Sequence, residues 1–174
     1  EVFSADVVKK YQQTLAHVWI YQVRYGTSGS FEPVNVQPLI AANNQSGEQF
    51  IVAHNGQFSK DIRHLETDKS DTVLFVQNLA GRKIDGHLDQ QIVQAISEKR
   101  GAWSLVIGTR KALYVARDPF GFRPLVYGHI WDDSAKTYIW AAASETSSLE
   151  TMGATDIFEL MPGTVAKITE GGLH

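Results

Sequence analysis

The chain has 174 residues, 43% of them hydrophobic and 20% charged, with a net charge of −3; these are the proportions of one soluble globular domain able to bury a core. Basic residues occur only in short groups such as Lys9-Lys10, Lys99-Arg100 and Arg110-Lys111, which excludes a nucleic-acid face, and no apolar run reaches the roughly 18 to 20 residues that cross a bilayer, nor does a leader open the chain, so no membrane contact and a cytoplasmic location are expected. There is no cysteine, which excludes disulfides, thiolate metal sites and a cysteine nucleophile within these residues, and the histidines fall at no metal-ligand spacing, so no metal is expected.

Residues 4–15 read as a helix, with Ser4 as N-cap, Asp6 in the first turn and Val7, Val8, Tyr11 and Leu15 at helical spacing. Residues 18–25 turn β-branched and aromatic and predict a buried strand, broken by the Gly/Ser-rich run after Tyr25. Arg24 then sits at a strand end beside a loop. There it can point into a site or form an ordinary surface ion pair. Further strands are expected at 38–42 and 49–53. The second delivers Asn55-Gly56, which most often makes a plain hairpin turn. Both residues tolerate positive φ, and a turn there would set a side-chain amide beside a bare backbone N–H, a pair able to hold a developing oxyanion. Helices are expected at 59–65, 70–79 and 87–99. Ser70 and Asp71 open the second, either as an N-cap pair or with the Asp71 carboxylate facing a ligand ammonium.

After Gly101 strands dominate. Residues 102–107 and 112–116 predict one hairpin, and residues 125–127 and 137–142 another. Between them Arg117-Asp118-Pro119-Phe120-Gly121-Phe122-Arg123-Pro124 has tight-turn chemistry. A short helix to about 151 and a strand at 164–168 close the chain. No internal boundary, repeat or low-complexity tract appears, so residues 1–174 are taken as a single domain. Strand-rich ends around a helical middle predict an α+β fold with helices packed on antiparallel sheets.

Read together, Val-Arg-Tyr-x-Thr-x-Gly at 23–29, Ala-His-Asn-Gly at 53–56, Ser-Asp-Thr at 70–72, Gly-Ala at 101–102, Arg-Asp-Pro-Phe-Gly-Phe-Arg-Pro-Leu at 117–125, Ala-Ser-Glu at 143–145 and Pro-Gly at 162–163 resemble the class II glutamine amidotransferase domain. Within that family, Val-Arg-Tyr and Phe-Arg-Pro-Leu are most similar to the amidophosphoribosyltransferase type. The resemblance implies a four-layer αββα sandwich of the N-terminal-nucleophile hydrolase kind. It also implies glutaminase chemistry: an N-terminal cysteine attacks the side-chain amide of glutamine, glutamate is released, and the ammonia passes to an acceptor domain, for this type to aminate phosphoribosyl pyrophosphate in purine synthesis. Carried over by position, Asn55 and Gly56 form the oxyanion hole, Arg24 and Thr27 hold the α-carboxylate, Asp71 pairs with the α-ammonium, and Tyr25 covers the bound glutamine. His54 is expected to be structural, and the 117–125 motif a framework turn with a buried ion pair.

The chain departs from the family in lacking the nucleophilic cysteine and the strand that carries it. Val73 stands where glutamate is common after Ser-Asp-Thr. No phosphoribosyltransferase segment is present, so Mg2+ is expected only with that absent domain and no cofactor with this one. The expected account is a fragment, incomplete at its N-terminus and inactive alone, whose partners are glutamine, the missing N-terminal segment and a C-terminal acceptor domain; a homo-oligomer is left open. The alternative is a cysteine-less glutamine-binding or scaffolding module. A different ammonia acceptor is also open.

Overall fold

The computed structural model describes residues 18–23, 30, 32–59, 68–83 and 87–174. Among them, β1 (Leu39–Ala42), β2 (Gln49–Phe58), β3 (Gly101–Gly108), β4 (Leu113–Arg117), β8 (Val165–Thr169) and β9 (Gly172–Leu173) form a six-stranded sheet in the order β1-β2-β3-β4-β8-β9. A three-stranded sheet has the order β6-β5-β7, from β5 (Val126–Asp132), β6 (Thr137–Ala143) and β7 (Ala154–Glu159). Every pairing is antiparallel.

Side-chain alternation along the strands builds the layers. On β2 and β3, Phe50, Val52 and Phe58 with Trp103, Leu105 and Ile107 turn to one side of the large sheet. Helices α1 (Asp71–Gly81) and α2 (Leu88–Ser97) cover that side with Phe75, Val76 and Leu79, and with Ile92, Ala95 and Ile96. The other side, through Val106, Val115, Ala166 and Ile168, packs against Tyr127, Trp140 and Ala142 of the small sheet and against Leu125 just before β5. Helix α3 (Thr146–Thr151) lies on β6 and β7, anchored by the fully buried Leu149. The order is helix, sheet, sheet, helix, as expected for an α+β sandwich.

Residues 18–23 correct the first strand expectation. They form no strand, and Trp19, Tyr21 and Val23 are exposed. Composition gives the propensity, but the neighbouring edge of β2 is met by the side-chain amide of Gln22 instead of a backbone, so no ladder forms. The helices expected at 4–15 and 59–65 lie outside the described residues, apart from Ser59, which is not helical. Strand β7 is an addition to the expected elements; only Ile157 and Ala154 of it are even partly buried, and Asp156 takes a φ of 51° that breaks the alternation.

A second correction concerns Asn55-Gly56. There is no hairpin turn there: β2 runs on to Phe58, with Asn55 opposite Ser104 and Gly56 opposite Trp103. The backbones approach too closely for side chains at two positions. A Cβ on Gly56, at φ 120°, would lie 2.1 Å from the Ala102 oxygen, and one on Gly101, at φ 129°, would lie 2.3 Å from the Gln57 oxygen. Glycine is needed here to pass through the ladder, not to leave it.

The 117–125 motif is a framework. The buried Arg117 guanidinium donates to the carbonyls of Arg123, Gly121 and Leu160 at 2.8 Å each and pairs with Glu159 at 2.6 Å. Its ion-pair partner is therefore Glu159, whose side chain is largely exposed. The fully buried Asp118 carboxylate accepts from the backbone N–H groups of Phe120, Trp103 and Arg123 at 2.9, 3.2 and 3.4 Å.

Candidate active site

A cleft of about 2070 Å³ runs between the two sheets, and Asn55, Gly56, Asp71, Ser104, Arg123 and Ser144 line one part of it. Strand parity decides which side chains reach it. On β2, Phe50, Val52 and His54 face the helices, so Asn55 between His54 and Gly56 faces the cleft. Its amide nitrogen lies 3.4 Å from the hydroxyl of Ser144, just past the end of β6.

The backbone on either side of Asn55 is held from the edge of β2 that runs on past β1. The His54 N–H donates to the side-chain oxygens of Gln37 at 2.9 Å and Gln22 at 3.2 Å, and the His54 carbonyl accepts from Gln22 Nε2 at 2.7 Å. Farther along, the Phe58 N–H donates to Asp71 Oδ2 at 2.8 Å. His54 and Phe58 thus turn their N–H groups to this edge, and the same parity turns the Gly56 N–H there.

The His54 ring lies inside the protein, stacked 4.3 Å from Phe58, with Nδ1 2.8 Å from Thr72 Oγ1. Burial pushes its pKa down to about 4, against the opposing pull of Asp71 and with a smaller downward push from Arg123. It is a neutral structural ring at physiological pH. Gln37 Nε2 also donates to Thr72 Oγ1, at 3.1 Å, so Gln37 ties the β2 edge to the start of α1.

Ser70 is the N-cap of α1, its hydroxyl accepting from Val73 N–H at 3.3 Å. Asp71 stands at the first helical position. It accepts from Thr72 N–H at 2.9 Å as well as from Phe58, and it lines the cleft. A carboxylate at a helix start is suited to the helix dipole, and this one faces the cavity.

Of the residues singled out from sequence, Asn55, Gly56 and Asp71 line one cleft, and Arg24, Tyr25 and Thr27 lie outside the described residues. Residues to which sequence reasoning gives no role also converge here. Gln22 and Gln37 hold the His54 backbone, and Ser144 meets Asn55. Arg123 enters the cleft lining from a backbone fixed by Asp118 and Arg117. Only Ser144, inside Ala-Ser-Glu, and Arg123, inside Phe-Arg-Pro-Leu, belong to motifs already singled out. Among the described residues no group of three or more His, Asp or Glu is placed to hold a metal, and no helix is long and apolar enough to cross a membrane.

A family profile described as glutamine amidotransferase domain matches residues 32–151. The amidophosphoribosyltransferase of Synechococcus elongatus is 30% identical over 184 aligned residues, covering 100% of this chain and 36% of that protein. The amidophosphoribosyltransferase of Rattus norvegicus is 31% identical over 197, covering 99% and 37%. Among solved structures, the glutamine phosphoribosylpyrophosphate amidotransferase of B. subtilis, complexed with ADP and GMP, superposes with a TM-score of 0.68 at 30% identity, over 88% of this chain and 33% of that one. The chain thus spans about a third of the length of these relatives.

Proposed function

The chain belongs to the class II glutamine amidotransferase domain family, and we propose that it is the glutamine-hydrolysing part of an amidophosphoribosyltransferase, releasing ammonia for an acceptor domain elsewhere in the protein. The observation that carries this reading is the arrival of Asn55, Gly56 and Asp71 at one cleft from two different elements. Glutamine is a zwitterion with a neutral amide at its far end. A carboxylate at a helix start suits its ammonium, and a side-chain amide beside a backbone N–H suits the oxygen of the amide under attack.

In this mechanism Asp71 pairs with the α-ammonium, and Arg24 and Thr27 take the α-carboxylate. Tyr25 covers the bound molecule. The scissile carbonyl then points at the Asn55 amide and the Gly56 N–H. As a nucleophile adds, negative charge gathers on that oxygen, and donors already in place stabilise it without reorganising; removing one costs about 3 to 4 kcal/mol. Ammonia leaves, and water releases glutamate from the acyl intermediate. These 174 residues hold no cysteine, so in this reading the attacking thiolate comes from outside them and the segment alone is inactive. The same absence favours one alternative, a cysteine-less module that binds glutamine or scaffolds assembly without hydrolysing it.

The test uses the full-length protein carrying this segment, assayed for ammonia and glutamate release from glutamine. Expected are equimolar products and a loss of roughly 100- to 1,000-fold in kcat for Asn55→Ala. Unchanged hydrolysis in Asn55→Ala overturns the site assignment. Binding of glutamine without product by a full-length chain that has no N-terminal cysteine supports the module instead.

A further inference from the structure

Asn55 lies on the six-stranded sheet and Ser144 just past β6 of the three-stranded one, far away in the chain, yet the Asn55 amide nitrogen is 3.4 Å from the Ser144 hydroxyl. Among the described residues this is the one side-chain hydrogen bond Asn55 makes. It crosses the cleft from the six-stranded sheet to the end of the three-stranded one. Ser144 itself is held firmly. Ala143 before it is paired with Val126, and Glu145 after it is the N-cap of α3, which the fully buried Leu149 anchors.

A terminal amide torsion is soft and roughly two-fold, so an unheld asparagine can present either its NH2 or its carbonyl oxygen to a cavity. Only the NH2 stabilises a developing oxyanion; the oxygen repels it. Ala53 and Val106, which also line this face, offer no side-chain polar atom, and Ser104, opposite Asn55 on β3, makes no hydrogen bond to the Asn55 amide among the described residues. The Ser144 hydroxyl, which can donate as well as accept, holds the amide in the arrangement observed, with Nδ2 facing it; the second hydrogen and the direction of the amide plane then follow from geometry, and an oxyanion, which only an N–H can meet, favours that same arrangement.

We propose that Ser144 is a positioning residue for glutamine hydrolysis: its hydroxyl accepts one Asn55 Nδ2 hydrogen and so keeps the other aimed at the oxyanion. The inference rests on the glutaminase reading above and assigns to the Ala-Ser-Glu motif a part in the chemistry. It makes the small sheet a participant in catalysis, since any shift of β6 relative to β2 alters the amide that donates to the oxyanion.

The experiment is a double-mutant cycle in the full-length protein, with kcat and KM for glutamine measured for the parent, Ser144→Ala, Asn55→Ala and the double variant, and Ser144→Thr as the conservative replacement. Ser144→Ala is expected to lower kcat about tenfold, less than the roughly 100- to 1,000-fold of removing the Asn55 donor itself, with KM within about twofold because positioning acts on the transition state. On the Asn55→Ala background the same change is expected to cost nothing further, and Ser144→Thr to restore most of kcat. Equal losses on both backgrounds, or a rise in KM with kcat intact, overturn the proposal and leave Ser144 a structural residue. If Asn55→Ala itself retains parental kcat, the oxyanion assignment fails first and this inference with it, so the two failures are told apart in one data set.

Discussion

His54 Nδ1 lies 2.8 Å from the hydroxyl of Thr72, while His54 Nε2, equally buried, has no hydrogen-bond partner among the described residues. A protonated ring would carry an N–H at that second nitrogen with nothing to receive it. Burial accordingly pushes the pKa down from 6.5 to about 4, with Asp71 opposing and Arg123 assisting. The unfolded chain takes up a proton near pH 6.5 and the folded one does not until about pH 4, so stability is complete above pH 6.5 and falls through that window. The loss is about 2 kcal/mol at pH 5 relative to pH 7.5. Urea unfolding at the two pH values measures it, and in His54→Gln the difference should shrink by most of that amount. A pH-independent midpoint in the parent would mean the ring is hydrated or paired.

Gly56→Ala is expected to destabilise by about 3 kcal/mol or more, because the new methyl meets the backbone oxygen of Ala102, which cannot swing aside, at a φ that L residues avoid. Gly153, at φ 81° with nothing within 4 Å of where an added methyl would stand, is the control: Gly153→Ala carries only the backbone cost, about 1 kcal/mol. Denaturation midpoints compare the two. Equal costs would show that β2 and β3 leave room for a side chain between them.

Much of the core is legible in local pattern. The apolar run at 49–53 marks a strand, though with Ile51 and Ala53 as apolar as Phe50 and Val52 only the structure shows which pair faces the helices, and the spacing of Val73, Val76 and Leu79 follows the apolar face of α1. Asn55-Gly56 misleads because a positive-φ glycine has the same local signature whether the chain turns or passes through a ladder. What decides between them is Gly101, distant in sequence and opposite Phe58. Ser144, Gln22 and Gln37 act on residues of β2 through contacts that no spacing rule encodes, so their roles appear only once the sheets are assembled. Over residues 18–23 the expected strand does not form, since its propensity is genuine but the segment meets the β2 edge through the Gln22 side-chain amide and not through its backbone.

Arg117 and Glu159 should prove unequal partners. Glu159 is exposed enough that Glu159→Gln costs less than about 1 kcal/mol. Arg117→Ala strands the carbonyls of Arg123, Gly121 and Leu160 without their donor in the loop beside the cleft, and is expected to cost about 3 to 5 kcal/mol. Chemical denaturation of both variants gives the ratio. If Glu159→Gln proves as damaging as Arg117→Ala, the ion pair and not the carbonyl network holds the 117–125 turn.

Asp71 combines two tasks that substitution can separate. Its oxygens hold the Phe58 and Thr72 N–H groups, at 2.8 and 2.9 Å, and its charge faces the cleft. Asp71→Asn keeps one acceptor oxygen and most of the shape but removes the charge, so stability should fall by only about 1 kcal/mol. Glutamine binding should weaken far more, since an ammonium left facing a neutral amide loses a charge-assisted contact of about 1.5 to 3 kcal/mol, or roughly 10- to 150-fold in KM. Asp71→Ala should show both losses, freeing the end of β2 as well as the ligand ammonium. Glutamine titrations of the full-length variants, set beside their urea midpoints, separate the effects. If Asp71→Asn binds glutamine as tightly as the parent while Asp71→Ala loses only stability, the carboxylate is a strand-end and helix-start cap, and the ammonium of glutamine is held by some other group.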